Sequence, residues 1–177
     1  MYEIEHRTLL TEDSYTALLE KLTQEGTLIG QDDKEVEYII FPDKLLKVVN
    51  NLSKNTGVLS LKLNALGEGS SFQEFEVPFP ADQYETMRSI CHAISEPQQI
   101  IAGTQKRTNF KYGEVEIALK WSEDWKYHAE LEIVVADLSE KDEADKKIMQ
   151  AAENLSITLM SQEEIAEFAA KVRASKQ

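Results

Sequence analysis

The repeated alternation of charged and apolar residues is the feature that most constrains how this chain can fold. Residues 58–64 read VLSLKLN, and residues 114–120 read EVEIALK. The pattern returns in residues 127–135, which read YHAELEIVV. Successive side chains of a β-strand point to opposite faces, so a period of two gives each of these strands one charged and one apolar face. The sequence therefore predicts a sheet with one highly charged surface.

The rest of the chain extends this pattern into a complete set of elements. Alternating segments predict strands near 2–8, 35–41, 45–50, 58–64, 72–79, 105–112, 114–120 and 127–136. Apolar stripes at helical spacing predict helices over 12–25, 82–95 and 140–155 and after Ser161. Asp82 with Glu85, and Ser161 with Glu164, have the spacing of capping boxes. No linker or internal repeat interrupts the sequence, so we expect one domain over residues 1–177.

The number and polarity of these elements favour one architecture. Four amphipathic helices need an apolar sheet face to cover, which places the apolar strand faces outside and the charged faces inside. The sequence therefore predicts a mainly β, α+β fold: an eight-stranded antiparallel barrel or tunnel with about four helices packed outside. A two-sheet sandwich is the alternative on composition alone. Taken singly, each strand would also fit an ordinary half-exposed antiparallel sheet.

Charge and cysteine content limit the classes of partner. The chain has 177 residues, a net charge of −13 and a pI of about 4.7. This balance argues against nucleic acid duplexes and anionic membranes, because both need a basic protein surface. The single cysteine, Cys91, cannot form an internal disulfide, and no membrane span or signal peptide is recognisable, so we expect a cytoplasmic protein. A homodimer is left open.

The predicted lumen has a chemistry of its own. Glu3, Glu5 and Arg7 alternate on the first strand, and Glu35 and Glu37 would add to the same charged face. Charges of both signs inside a barrel are unfavourable unless they are hydrated, paired or bound to a ligand. Carboxylates hold hard divalent cations, whereas lysine and arginine bind phosphate oxygens. A lumen lined by both suits a metal–polyphosphate complex.

Several strands resemble those of the CYTH, or triphosphate tunnel metalloenzyme, superfamily. EIEHR at residues 3–7 resembles the family's Glu-x-Glu-x-Lys signature, and AELEI at 129–133 resembles its late Glu-x-Glu strand. Between them, LLKVV, LSLKL, QEFEV and QKRTNFKYGEVEIALKW resemble its basic and acidic strands in order. The likeness runs over about residues 3–135. It implies a tunnel of eight antiparallel strands that uses Mg²⁺ or Mn²⁺ to act on a triphosphate.

The resemblance also implies roles for individual residues. The metal ligands would be Glu3, Glu5, Glu130 and Glu132. The phosphate contacts would be Lys47, Lys62, Arg107 and Lys111, with Glu74 and Glu76 on the neighbouring acidic strand. The catalytic set would be Glu3, Glu5 and Arg7. His128 shares a strand face with Glu130 and is expected to be a hydrogen-bonded tunnel histidine, with a role as a base as the alternative.

Three functions follow from this reading. The first is divalent-metal-dependent hydrolysis of an inorganic or organic triphosphate, and the second is a class IV adenylate cyclase that converts ATP to cyclic AMP. The third is a non-catalytic polyphosphate- or nucleotide-binding module. Three departures favour this last one: Arg7 replaces the signature lysine, Val49 replaces an arginine, and Lys120 stands where an aspartate is expected. In each case the partner is a small-molecule triphosphate or nucleotide.

Overall fold

The computed structural model describes residues 2–63, 71–94 and 96–175. Within these ranges the strands are β1 (Tyr2–Leu9), β2 (Thr27–Gln31), β3 (Lys34–Ile40), β4 (Leu45–Asn51), β5 (Thr56–Lys62), β6 (Ser71–Pro80), β7 (Gln99–Tyr112), β8 (Val115–Ser122) and β9 (Lys126–Val135). The helices are α1 (Glu12–Glu25), α2 (Tyr84–Ile94), α3 (Lys141–Leu155) and α4 (Gln162–Ala174). None of these helices combines the length and apolarity that crossing a membrane requires.

Eight of the strands close into an antiparallel barrel. Around the ring they run in the order β7-β3-β4-β5-β6-β1-β9-β8, and β8 pairs again with β7. The remaining strand, β2, pairs with β7 outside this ring. The predicted eight-stranded barrel is confirmed, with β2 as an additional strand.

The hydrophobic core lies between the outer face of the barrel and the helices. Ile4, Leu131 and Ile148 belong to one fully buried cluster, in which α1 and α3 pack on β1, β8 and β9. A second cluster places Val48 and Cys91 between β4 and α2. Burying one such aliphatic side chain contributes about 1.5–3 kcal/mol, so the helices hold the apolar strand faces outward. The predicted inversion, with apolar residues outside and charges inside, is therefore present.

Two features of the sheet differ from the sequence-based expectation. β2 was not predicted, because it is short, largely exposed and contains Gly30 at a φ of +152°. β7 begins at Gln99 rather than near 105, because its first half has no alternation of charge to mark it. The end residues 64 and 95 of two predicted elements lie outside the described residues.

The helix starts follow local capping chemistry. Ser161 and Glu164 form the predicted capping box, with the Glu164 N–H donating to Ser161 Oγ at 3.2 Å. At α2 the prediction was wrong, because a 3-10 turn over Ala81–Gln83 precedes the helix and has no side-chain cap. Glu85 instead accepts a hydrogen bond from Arg88 at 2.9 Å. A capping box is typically worth about 1 kcal/mol, so the loss is small beside the burial of α2.

Candidate metal and phosphate site

The barrel encloses a cavity of about 600 Å³. Side chains from every strand of the ring line it, together with Trp125 after β8 and Val172 of α4. The charged side chains from the strands are Glu3, Glu5, Arg7, Lys34, Lys47, Lys62, Glu74, Glu76, Arg107, Lys120, Glu130 and Glu132. The cavity therefore has the mixed charge that the strand pattern predicted.

Three of the predicted metal ligands converge at one point. Glu3 and Glu5 occupy alternate positions of β1, and Glu5 lies directly opposite Glu132 of β9. One carboxylate oxygen from each of Glu3, Glu5 and Glu132 lies within 4.8 Å of the other two. Oxygen ligands at this separation fit a hard divalent cation such as Mg²⁺ or Mn²⁺, with water or substrate oxygens completing the shell.

The protonation of this cluster reflects its crowding. Burial and a hydrogen bond with Glu74 raise the pKa of Glu3 to about 9. The carboxylates of Glu5 and Glu132 act in the same direction. For Glu74 the balance is opposite, since its hydrogen bonds and the charge of Lys47 outweigh burial and lower its pKa. The two side chains therefore share a proton that a bound cation would displace.

Basic side chains surround the carboxylates at ion-pair distance. Lys62 Nζ lies 3.1 Å from Glu3, 3.5 Å from Glu5 and 3.4 Å from Glu74. Lys47 Nζ donates to Glu74 at 2.8 Å. The Arg7 guanidinium donates to Glu5 at 2.5 Å. Burial raises the pKa of Glu5, but these cations outweigh it and hold that pKa well below the usual value.

Arg107 also faces the lumen, but at greater distance from the carboxylates. Its guanidinium lies 3.9 Å from Glu116 and 4.0 Å from Glu132 and donates to Asn109 Oδ1 at 2.5 Å. The structure therefore brings Lys47, Lys62 and Arg107, all predicted as phosphate contacts, into the same cavity as the acidic cluster.

Glu130 does not belong to the converging carboxylates, although it was predicted as a metal ligand. It forms a close ion pair with Lys120 and lies 3.3 Å from the Arg7 guanidinium. Lys120 is fully buried in the barrel wall, and burial together with the positive charge of Arg107 lowers its pKa well below the usual range. The lysine that stands where an aspartate was expected thus pairs with Glu130.

Lys111 lies away from the cavity, so its prediction as a phosphate contact is not supported. It has the same strand parity as Arg107 but is exposed near the end of β7. Its ammonium donates to the backbone oxygen of Glu114 at 2.7 Å, in the turn that contains Gly113. Side-chain parity placed it on the inner face, but only its position along the strand decides whether it reaches the lumen.

His128 is a neutral lumen histidine. Burial and the charge of Lys120 lower its pKa to about 3. Its Nδ1 lies 3.0 Å from the backbone oxygen of Lys126, which can only accept, so Nδ1 carries the proton. The centroid of the ring also lies 5.6 Å from that of Trp125, with the two ring planes inclined at 44°. These contacts match the expected hydrogen-bonded tunnel histidine.

The face assignment of β3 was wrong. Lys34, Val36 and Tyr38 line the cavity, whereas Glu37 lies under α2 on the outer face. Burial and the charge of Arg107 lower the pKa of Lys34 to about 8. Charged residues occur on both faces of this strand, so alternation alone could not show which face points inward.

Comparisons with known proteins agree with the fold. No protein-family model matches the chain, and a search of the curated proteins finds no match. The solved structure of PH1819 from Pyrococcus horikoshii OT3 is similar at a TM-score of 0.72 and 18% identity, over 93% of this chain and 97% of that one. HpAC1 from Hippeastrum, an adenylyl cyclase homologue described as having a dominant triphosphatase activity, is similar at a TM-score of 0.62 and 15% identity, over 89% of each chain.

A third solved structure, the Mimivirus capping enzyme triphosphatase, is similar at a TM-score of 0.56 and 11% identity, over 88% of each chain. At these identities the similarity shows the fold. The chain therefore has the same barrel fold as these solved structures.

Proposed function

We propose that this protein catalyses the divalent-metal-dependent hydrolysis of a triphosphate-containing small molecule inside the barrel. The observation that carries the proposal is the convergence of Glu3, Glu5 and Glu132 beside Lys62 in one enclosed cavity. The triphosphatase activities named for HpAC1 and for the Mimivirus capping enzyme support it.

The ion pairs of the lumen explain how a negatively charged protein can take up a polyanion. Lumen cations contact carboxylates, as Lys62 contacts Glu3 and Lys47 contacts Glu74. On binding of a metal–triphosphate complex, these ammonium groups would contact phosphate oxygens in place of the carboxylates, and the carboxylates would hold the metal. Both charges stay compensated, which avoids the large penalty of burying either one alone.

The chain's own residues would divide the work. Glu3, Glu5 and Glu132 hold the cation, and Lys47, Lys62 and Arg107 bind the phosphate oxygens and stabilise charge that develops on them. Arg7 fixes the Glu5 carboxylate through its 2.5 Å hydrogen bond. A Mg²⁺ or Mn²⁺ held there would supply Lewis-acid chemistry, offsetting phosphate charge and lowering the pKa of a water molecule.

The direct test is a phosphate-release assay on tripolyphosphate, thiamine triphosphate and ATP with Mg²⁺ or Mn²⁺. We expect release of orthophosphate from at least one of them, abolished by chelator and by the Glu3→Gln, Glu5→Gln double variant. Formation of cyclic AMP from ATP without orthophosphate would instead identify a cyclase. No product from any substrate, with either metal, would contradict an enzymatic function.

A specific observation supports the binding module as the second candidate. Glu130 forms a close ion pair with Lys120, so the fourth predicted metal ligand lies outside the cluster of Glu3, Glu5 and Glu132. A site that binds one cation and the phosphates, but orients no water, would give a thermal shift without turnover. The same preparations therefore need a melting-temperature measurement with tripolyphosphate and metal, because a ligand that binds only the folded state stabilises it.

A further inference from the structure

The lumen contains an apolar band as well as its charged side chains. Gly103 of β7 pairs with Val36 of β3, Val36 pairs with Val49 of β4, and Val49 pairs with Val58 of β5. All four residues line the cavity. They form one continuous row across four neighbouring strands, with no side chain that can form a hydrogen bond.

This band borders the cavity, and Val36 and Val49 keep 4% and 8% of their surface accessible. A Cβ built on Gly103 would meet no heavy atom within 4 Å. The outer faces of the same strands are different, because Val48 is fully buried and Leu59 packs in the cluster beneath α2. An apolar surface that lines an accessible cavity is typical of ligand pockets, where it takes up the uncharged part of the ligand.

Some polar groups in the adjoining rows are engaged within the protein. On one side, Asn51 donates to Asp32 at 2.9 Å and accepts from the Lys54 N–H at 3.0 Å. On the other side, Ser60 donates to Glu74. The valine side chains themselves have no hydrogen-bonding group, so a ligand that packs on them does so by apolar contact.

The band also lies at a suitable distance from the phosphate-binding cations. Lys47 is two residues from Val49 on the same face of β4, and Lys34 is two residues from Val36 on β3. Two residues of a strand span about 7 Å, which is comparable to the separation between a terminal phosphate and the group esterified to it. One ligand can therefore contact the cations and the valines together.

We infer that the occupant of this cavity is a triphosphate monoester whose esterified group is uncharged and apolar, and that this group packs on Val36, Val49 and Val58. This inference rests on the proposed function, since it takes the phosphate site of the same cavity as given. Inorganic tripolyphosphate would fill only the charged part of the site.

The test compares two esters of equal charge by calorimetry in the presence of Mg²⁺. The first is phenyl triphosphate and the second is glyceryl triphosphate, both with a methylene bridge between the β and γ phosphorus atoms so that hydrolysis does not interfere. We expect the phenyl ester to bind about tenfold more tightly, as burial of one aromatic ring against aliphatic side chains predicts. Equal affinities would overturn the inference.

Two variants test whether the valine band causes the tighter binding of the phenyl ester. Val49→Thr and Val58→Thr keep the side-chain shape but introduce a hydroxyl, and each should reduce the ratio of the two affinities by about threefold. Val48→Thr, on the outer face of the same strand, is the matched control and should leave the ratio unchanged. A ratio that neither lumen variant changes would also overturn the inference, and having two variants protects the test if one of them fails to fold.

The outcome is separable from that of the proposed function. If tripolyphosphate binds with metal and both esters bind equally, the phosphate site stands and only the apolar subsite is wrong. If tripolyphosphate and both esters fail to bind at millimolar metal, the phosphate site itself is wrong, and the inference falls with it.

Discussion

Two groups of buried carboxylates, one inside the barrel and one outside it, show how differently this fold treats the same functional group. On the outer face, Glu37 of β3 accepts hydrogen bonds from Arg88 at 2.8 Å and pairs with His92 at 2.6 Å. Although burial raises the pKa of Glu37, its hydrogen bonds to these partners lower it overall. Inside, three carboxylates crowd within 4.8 Å and the pKa of Glu3 is raised to about 9.

The difference separates a structural carboxylate from a ligand-binding one. The single carboxylate of Glu37 contacts two donors on α2, so its charge is compensated. These contacts also connect the helix to the barrel. The lumen cluster has carboxylates in direct contact with each other, and part of its charge is neutralised only by a proton. A buried group that is compensated by protonation is ready to exchange that proton for a cation.

The largest expected effect is on metal affinity, which should depend on the lumen carboxylates and not on Glu37. The Glu3→Gln, Glu5→Gln double variant removes two of the three converging carboxylates, so Mn²⁺ should bind about 100-fold more weakly or not at all in calorimetry. Glu37→Gln is the matched control, because it changes a buried strand carboxylate that lies outside the cavity. Wild-type affinity in the double variant would mean that the metal, if it binds, does so elsewhere.

For the free energy of unfolding the order of the two sites should be reversed, with the larger loss on substitution of the outer carboxylate, Glu37. Glu37→Gln leaves Arg88 and His92 without their anionic partner, and since both are partly exposed we expect a loss of about 1–2 kcal/mol in urea unfolding. Glu3→Gln in metal-free protein should cause no loss, because a neutral amide replaces a carboxyl group that burial already keeps protonated. A greater loss for Glu3→Gln than for Glu37→Gln would reverse the comparison.

The contribution of a single lumen cation should be smaller than that of the metal ligands. Lys62→Ala removes an ammonium that now contacts three carboxylates. We expect tripolyphosphate with Mg²⁺ to bind about tenfold more weakly, as loss of one charge-assisted contact predicts, and the protein to stay folded. Lys106→Ala, an exposed residue on the same strand as Arg107, is the control; an equal decrease there would indicate a general charge effect.

The last effect concerns pH. The pKa of Glu3 is raised from 4.5 to about 9 in the folded protein, so the folded state holds more protons than the unfolded state between these values. The stability from this group is therefore fully present below pH 4.5 and is lost as pH rises towards about 9. Metal-free wild type should therefore lose more stability than Glu3→Gln between pH 6 and 9, measured by urea unfolding at each pH.

Glu37→Gln serves again as the control for this slope. The pKa of Glu37 is lowered, so its contribution to stability is present above its unfolded pKa and is lost only in acid. The slope between pH 6 and 9 should therefore match that of wild type. A Glu3→Gln slope identical to wild type would contradict the shared proton in the lumen.

Local pattern was enough to predict much of this protein. The period of two identified every strand of the barrel ring, and four helical stripes fixed which faces of those strands need cover. Because neighbouring side chains on one strand face are fixed by backbone geometry, Glu3 with Glu5, and Lys62 on its own strand, could be assigned to the lumen from sequence. The resemblance then connected the two Glu-x-Glu strands with a metal and a triphosphate.

What the sequence could not determine depends on contacts between distant segments. The register of β1 on β9 sets Glu132 opposite Glu5, and Glu130 opposite Arg7, which divides two residues of the same motif between a metal cluster and an ion pair. Lys120 reaches Glu130 only because β8 and β9 are adjacent. Such pairings are set when the barrel closes, since register and long-range packing are collective properties that no single strand encodes.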